Sequence, residues 1–296
     1  MASSAMDLGE SQFVTARDGL RLHVRRWGDA DASATPVFCI HGLTRNSRDF
    51  AGIATHAIEN AKTKRRFYAL DLRGRGLSGY DKDWQNYNLF TELDDVISAL
   101  TALGIEHAIF LGTSRGGLLT MMLSAGRPGA IKAAILNDIG PVIDGAGLTQ
   151  IRLYLQKAPM PSSMEDAIDV QKSIMSKNFT VLLDEHWRFE AEARYREIDG
   201  KLRADYDPEI VKTVTSVDLN TPIPTLWPQF AGLGAVPVMS IRGQNSSLLS
   251  EQTVAAMGKA HPGMVAFTAE GQGHAPMLHV ADVADGLVAF LDGLKH

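Results

Sequence analysis

The chain has a single cysteine, Cys39, so no disulfide can form within it. Its place in the apolar run Val37-Phe38-Cys39-Ile40 reads as a buried strand position. No apolar stretch approaches the roughly 18 uninterrupted residues expected of a membrane span, and Met1 to Ser11 lacks the apolar segment of a secretory leader. A cytoplasmic protein with no membrane partner is expected. Neither sign of charge dominates: 29 Lys and Arg against 34 Asp and Glu leave a formal net charge of −5, which gives no global attraction for nucleic acid or an anionic surface. Internal repeats and low-complexity tracts are missing as well. What remains is an ordinary globular composition, 45% hydrophobic and 21% charged over 296 residues, with enough apolar material for a large core.

Short apolar runs alternate with longer helix-period segments, the pattern of βαβ units around a mostly parallel sheet. Strands are expected at Gln12 to Ala16 and Leu22 to Trp27, joined by the turn Arg17-Asp18-Gly19 as an antiparallel edge. Further strands fall at Val37 to Ile40, Phe67 to Leu70, Ala108 to Leu111 and Ile131 to Leu136, with helices at Arg48 to Asn60, Leu89 to Leu103 and Leu118 to Ala125 between them. From Gly140 to about Leu233 the rhythm changes to helical stretches broken by prolines such as Pro141, Pro161, Pro208 and Pro222. The expected organisation is a core of residues 1–139 and 234–296 with a helical cap inserted at 140–233. Strands at Val236 to Ile241 and Met264 to Thr268, and helices at Ser250 to Lys259 and Val280 to Leu294, complete the core.

The stretch Gly112-Thr113-Ser114-Arg115-Gly116 follows an expected strand and opens an expected helix. That context reads as a nucleophile elbow, in which a sharp turn lifts a serine hydroxyl clear of the backbone and flanking glycines remove side chains that would collide there. The bare pattern arises easily in a chain with 27 glycines; the flanking strand and helix make it informative. A serine hydroxyl is a poor nucleophile at neutral pH, so Ser114 needs an imidazole to take its proton and an acid to orient that imidazole.

With such an elbow the chain order is nucleophile, acid, histidine. Among the downstream histidines, His186 falls in the cap, His261 precedes Pro262, His279 begins a helix and His296 is terminal, whereas His274 sits in the loop Gly271-Gln272-Gly273-His274 after the last strand. His274 is the expected base. For the acid, the segment after the penultimate strand, Arg242 to Ser250, has no carboxylate before Glu251. Asp138, at the end of the strand after the nucleophile's, could reach the same histidine from the neighbouring strand and is the expected acid; the competing role is a structural hydrogen bond near Pro141. Amides of Arg115, where a helix begins, and of Leu43, in the loop Ile40-His41-Gly42-Leu43, are the expected oxyanion-hole donors. His41 has no partners at metal-ligand spacing, and no metal or cofactor is expected. The run Leu70-Asp71-Leu72-Arg73-Gly74-Arg75-Gly76-Leu77-Ser78-Gly79 reads as a structural turn with an Asp-Arg pair rather than a phosphate cradle.

The Gly42 loop, the Asp71 to Ser78 segment, the elbow and the Gly273-His274 loop, in this order and spacing, resemble the α/β-hydrolase fold family over nearly the whole chain. Within it, Gly-Thr-Ser-Arg-Gly-Gly at the elbow and Asn-Asp-Ile-Gly-Pro after the next strand are similar to bacterial esterase-type hydrolases. The resemblance implies an α/β fold with a mostly parallel eight-stranded sheet flanked by helices. Because some members place the acid after that next strand, it also supports Asp138. The stretch Arg242 to Ser250 is similar to a family segment carrying Asp at the position of Ser247; were that the acid, the triad here would be incomplete and hydrolysis slow. Serine at the elbow argues against the dehalogenase and epoxide hydrolase branches, which use Asp there.

The expected activity is cleavage of a small-to-medium, mainly apolar ester through an acyl-enzyme, with a small-molecule substrate as the partner and no nucleic acid. Lactone cleavage and carbon–carbon cleavage on the same triad are alternatives, the latter with Arg115, Arg152 and Arg188 as candidate anchors for a dicarboxylate-like substrate. A ligand-binding protein with vestigial activity is a further reading. Of the cap residues Met160, Trp187 and Trp227, at least one is expected to face the substrate.

Overall fold

The computed structural model describes residues 6–29, 31–156, 160–218 and 221–294; His296 lies outside them. Its elements are β1 (Glu10–Thr15), β2 (Arg21–Trp27), β3 (Val37–Ile40), α1 (Ala51–Asn60), β4 (Phe67–Asp71), α2 (Leu89–Ala102), β5 (Ala108–Thr113), α3 (Arg115–Gly126), β6 (Ile131–Asn137), α4 (Gly145–Gln156), α5 (Met164–Met175), α6 (Asp184–Arg194), β7 (Tyr195–Ile198), β8 (Lys201–Ala204), α7 (Lys212–Thr215), α8 (Trp227–Ala231), β9 (Val238–Gly243), α9 (Glu251–Ala260), β10 (Val265–Ala269) and α10 (Ala281–Gly293).

Eight strands form one sheet in the order β1-β2-β4-β3-β5-β6-β9-β10. The edge strands β1 and β2 run antiparallel, as does β2 against β4; every other pairing is parallel. Strands β3, β4, β5, β6 and β9 are buried almost throughout, because helices cover both faces and leave no face for polar alternation. The two-residue period of a strand then sorts the same segment into two cores. Phe38 and Ile40 join Phe110, Leu119, Leu100 and Met257 under α2, α3 and α9, while Val37 and Cys39 join Ile53, Leu111 and Leu287 under α1 and α10. Burial raises the pKa of the Cys39 thiol well above its ordinary value, so the residue is a packing group.

Between β6 and β9 the chain leaves the sheet for a segment, the cap, that has a small core of its own from Ile168, Phe179, Trp187, Ala191 and Tyr195. It is not purely helical as expected from the sequence: β7 and β8 pair antiparallel around Asp199-Gly200. Both turn residues have positive φ, +52° and +69°, the signature of the Asp-Gly two-residue hairpin. The flanking residues are too polar and too few for a strand to stand out by periodicity.

Parallel register places the site. Ile40 pairs with Gly112, Gly112 with Leu136, and Leu136 with Ser240, so the C-terminal ends of β3, β5, β6 and β9 lie side by side. Loops leaving that edge carry Leu43, Ser114, Asp138 and Ser246, the place where open parallel sheets gather ligand groups.

Candidate active site

Ser114 occupies the turn between β5 and α3 with φ +50° and ψ −111°, a conformation that L residues rarely adopt. Glycines make it possible. A Cβ on Gly112 would lie 2.5 Å from the backbone of Gly116 and Gly117, and one on Gly116 would lie 1.9 Å from the Ile40 carbonyl oxygen. The first turn of α3 is braced by Arg115, whose guanidinium pairs with buried Glu92 at 2.5 Å and donates to the Tyr87 carbonyl. As the first residue of α3, Arg115 has no carbonyl one helical turn back to accept its amide.

The Ser114 hydroxyl lies 3.0 Å from His274 Nε2, and His274 Nδ1 lies 2.7 Å from Asp138 Oδ2. Asp138 is fully buried and held in the left-handed region at φ +55°. Its amide donates to the Ile241 carbonyl, Gly243 donates its amide to Oδ1 at 2.8 Å, and Ser246 donates its hydroxyl to Oδ2 at 2.6 Å. An ionised carboxylate only accepts, so it calls for a proton on Nδ1 and leaves the Nε2 lone pair facing the serine. Ser247, where the similar family segment carries Asp, points elsewhere: its hydroxyl is 2.9 Å from Gln150 Oε1. Glu251 is on the surface beside Arg242. Ser246 and Gly243, which hold the carboxylate, carried no signal in the sequence beyond their place in the segment Arg242 to Ser250.

These groups open into a cavity of about 390 Å³ whose wall includes Leu43, Ser114 and His274. Its apolar side comes from Ile151, Leu155, Ile174, Met175, Phe179 and Phe189, and polar groups enter from Gln150, Asn178 and Asn245. Met160, Trp187 and Trp227 are not among the lining residues. Met160 is 93% exposed, Trp187 is buried in the cap's core, and Trp227 packs edge-on against Phe230 beside α3. Helical geometry explains Trp187: it shares a face of α6 with Ala191, one turn on, so that face fills the cap while Phe189 and Glu190 turn toward the cavity. His279 also lines the cavity, its ring tilted 41° against that of Phe189 with centroids 4.0 Å apart. Burial, helped by neighbouring His186, lowers its pKa to about 4 and keeps it neutral near pH 7.

A charged row that sequence reasoning missed crosses the same wall. Arg45 pairs with Asp49 and with Glu190, and Glu190 also pairs with Arg194. Burial opposes the charge on each, but Asp49 and Glu190 raise the pKa of Arg45, and the two guanidiniums lower that of Glu190. The spacings Arg45-x-x-x-Asp49 and Glu190-x-x-x-Arg194 were the local hints.

The remaining sequence candidates have structural partners. Leu72 donates its amide to His41 Nε2 at 3.0 Å, and His41 Nδ1 donates to the Gly42 carbonyl at 2.7 Å, so the ring shapes its loop. Among the described residues no cluster of three or more His, Cys, Asp or Glu is placed to hold a metal ion. Gly74, Gly76 and Gly79 reproduce the spacing G-x-G-x-x-G, yet a Cβ on Gly76 would meet the Asp71 carboxylate at 2.2 Å, and the amides of Gly76 and Leu77 are taken by Asp205 and Asp71. Arg73 pairs with Asp95, not with Asp71. A second Ser-His-Asp row also exists: Ser11 Oγ is 2.8 Å from His23 Nε2, and His23 Nδ1 is 2.7 Å from Asp71. It lies on the antiparallel edge, away from the cavity wall.

Comparison with known proteins bears on this arrangement. Residues 37–286 match the alpha/beta hydrolase family. The chain is 27% identical over 281 residues to the 3-hydroxybutyrate-oligomer hydrolase of Cupriavidus necator, covering 93% of this chain and 94% of that protein. It is 24% identical over 273 residues to the 2-(acetamidomethylene)succinate hydrolase of Mesorhizobium japonicum, covering 91% and 92%. A crystal structure of an alpha/beta hydrolase from Novosphingobium aromaticivorans matches with a TM-score of 0.86 at 33% identity, over 97% of this chain and 99% of that one.

Proposed function

This chain belongs to the α/β-hydrolase family, and from that premise we propose that it hydrolyses carboxylic esters through an acyl-enzyme on Ser114. The observation that carries the reading is the unbroken row Ser114, His274, Asp138, at 3.0 and 2.7 Å, facing a cavity. Ser114 Oγ attacks the ester carbonyl while His274 Nε2 takes its proton. The amides of Leu43 and Arg115 hold the developing oxyanion, helped by the positive end of α3. Collapse of the tetrahedral intermediate expels the alcohol, which takes the proton from the imidazolium; water activated by His274 then releases the acid and restores Ser114. The buried Asp138 fixes the imidazole and stabilises its cation without itself being protonated.

The mixed wall of the cavity suits a small-to-medium ester with an apolar body and a few polar groups. Oligomers of 3-hydroxybutyrate, named for the Cupriavidus relative, have that character and are the first substrates to try. Against a dicarboxylate-like substrate stand the candidate anchors themselves. Arg115 is engaged by Glu92, Arg152 donates to the Val217 carbonyl, Arg188 lies near Glu192 on the surface, and none lines the cavity. The position of Ser247 does not weaken the reading, since Asp138 already meets His274. The test is turnover of p-nitrophenyl esters of graded chain length, a lactone panel and 3-hydroxybutyrate dimer and trimer, with Ser114→Ala alongside. Ester turnover lost in the variant supports the proposal; normal turnover refutes it.

A further inference from the structure

Arg45 stands two residues after Leu43, and both ends of that short loop are tied down. On the core side, the Leu43 carbonyl accepts from Arg75 Nε at 2.8 Å, and Arg75 is itself paired with buried Glu92. On the cap side, Arg45 donates through Nη1 and Nη2 to the two oxygens of Glu190 at 2.5 and 2.8 Å, while Nε and Nη2 hold Asp49 at 2.8 and 2.6 Å. The next loop residues follow suit: Asn46 donates to the Ala193 carbonyl at 2.8 Å, and Arg48 to Asp205 at 2.8 Å. Glu190 sits on α6 and, among the described residues, is the one cap carboxylate that meets Arg45; it is also held by Arg194 at 2.6 Å. Arg45, Glu190 and Arg194 are 13%, 7% and 10% exposed, so water does little to screen them.

We propose that Glu190 is a positioning residue for ester hydrolysis: through Arg45 it sets the Leu43 amide against the developing oxyanion, and so makes the oxyanion hole depend on the cap being seated. The proposal rests on the acyl-enzyme reading above. The row Asp49, Arg45, Glu190, Arg194 alternates in charge and balances, two cations against two anions. Neutralising Glu190 leaves the Arg194 guanidinium against Tyr154, whose hydroxyl lies 3.4 Å from Nη1, and leaves Arg45 paired with Asp49 on one side. A buried cation without its counter-charge draws in water or moves, and Arg45 closes the turn that carries Leu43, its amide donating to the Gly42 carbonyl at 3.2 Å, so a shift of Arg45 is passed into that turn. An oxyanion donor acts on the transition state more than on the bound ester, so its displacement lowers kcat rather than raising KM.

Glu190→Gln is therefore expected to lower kcat on a p-nitrophenyl ester about tenfold or more while KM stays within about threefold. Affinity for an aryl trifluoromethyl ketone, which forms an oxyanion on Ser114, should fall by the same factor as kcat/KM. Glu190→Asp, which keeps the charge, should recover part of both. A kcat within threefold of the parent for Glu190→Gln, with unchanged ketone affinity, overturns the proposal, as does a loss confined to thermal stability. Should Glu190→Gln fail to fold, Glu190→Asp carries the test alone: equal losses in kcat/KM and ketone affinity support it, and parent values of both overturn it. Ser114→Ala run in parallel separates the layers, because an active Ser114→Ala would refute the acyl-enzyme reading itself, whereas an inactive one beside a fully active Glu190→Gln refutes only the role of Glu190.

Discussion

Asp138→Asn isolates the electrostatic part of the row while leaving its shape. The carboxylate receives three donors, the Gly243 amide at 2.8 Å, the Ser246 hydroxyl at 2.6 Å and His274 Nδ1 at 2.7 Å. An asparagine offers one acceptor oxygen and an NH2 group. With the oxygen kept toward Gly243, the NH2 faces His274, whose Nδ1 must then give up its proton; Nε2 carries it instead and donates toward Ser114, so the base is gone. With the amide flipped, the NH2 meets the Gly243 N–H, and two buried donors left facing each other cost about 1–3 kcal/mol. The inactive arrangement is favoured by that margin, and the imidazolium of the transition state also loses its counter-charge. Together these predict a fall in kcat on the order of ten-thousand-fold, about 5.5 kcal/mol on the barrier.

The assay is the p-nitrophenol burst and steady state in stopped flow, with thermal melting as a check on folding. Glu251→Gln is the control: its side chain is 80% exposed and lies 3.5 Å from Arg242, so it should turn over as the parent does. Adding Ser247→Asp to Asp138→Asn should not restore activity, because the side chain at 247 points to Gln150. A loss under tenfold in Asp138→Asn, or equal mild losses in it and Glu251→Gln, would refute the assignment.

Gly116→Ala should destabilise the fold by about 3 kcal/mol or more in urea unfolding, since the added carbon would sit 1.9 Å from the Ile40 carbonyl oxygen and α3 would have to leave β3. Gly126→Ala, with nothing within 4 Å, should be neutral or slightly stabilising. His279 has its pKa lowered by burial from 6.5 to about 4, so the unfolded chain binds its proton first as pH falls. Stability should be full above pH 6.5 and lost on the way down to about 4, by up to about 3 kcal/mol, and His279→Gln should flatten the slope in urea titrations at pH 7.5 and 4.5. A fluorophosphonate probe should label Ser114 and leave Ser11 unmodified, read by peptide mass spectrometry; label on Ser11 in Ser114→Ala would count against this.

The strands and the elbow were legible because burial on both faces leaves uninterrupted apolar runs, and because the strand-to-helix turn at Ser114 has no room for a side chain two positions before it or two after it. The meeting of Asp138 with His274 was legible by position, since Asp138 ends the strand beside the one that leads to Ser114. The inner surface of the cap was not. Trp187, a large aromatic in a lid, looks like a wall of the binding site, yet on α6 the angular step between residues 187 and 190 decides which one meets the cavity, and the sequence of a short amphipathic helix does not tell a cap's own core from the space beneath it. The hairpin at Asp199-Gly200 escaped for a related reason: its strands are half exposed and four residues long, so the turn dipeptide was the sole signal. The row from Asp49 to Arg194 joins residues 145 positions apart, and the register that unites them exists in the fold alone.

The two serine rows show what a relay by itself decides. Ser11, His23 and Asp71 match Ser114, His274 and Asp138 in distance, 2.8 and 2.7 Å against 3.0 and 2.7 Å. Burial opposes the charge on Asp71, but the bond and charge of His23 and the Leu77 amide outweigh it and bring its pKa down to about 2. What differs lies on the other side of the hydroxyl. Ser11 is the second residue of β1, paired with Arg25 in the ladder, with no helix beginning at it, and it is not among the residues that line the cavity. Ser114 precedes the first amides of α3 and looks across a cavity to Leu43. A histidine and an acid can deprotonate either serine, but charge passed to a carbonyl oxygen must be received by something, and a missing donor set costs on the order of a hundredfold or more. On the proposed mechanism reactivity follows the amides and the cavity, and the loop that carries Leu43 to the cavity wall is also the one that Arg45 ties to Glu190 of the cap.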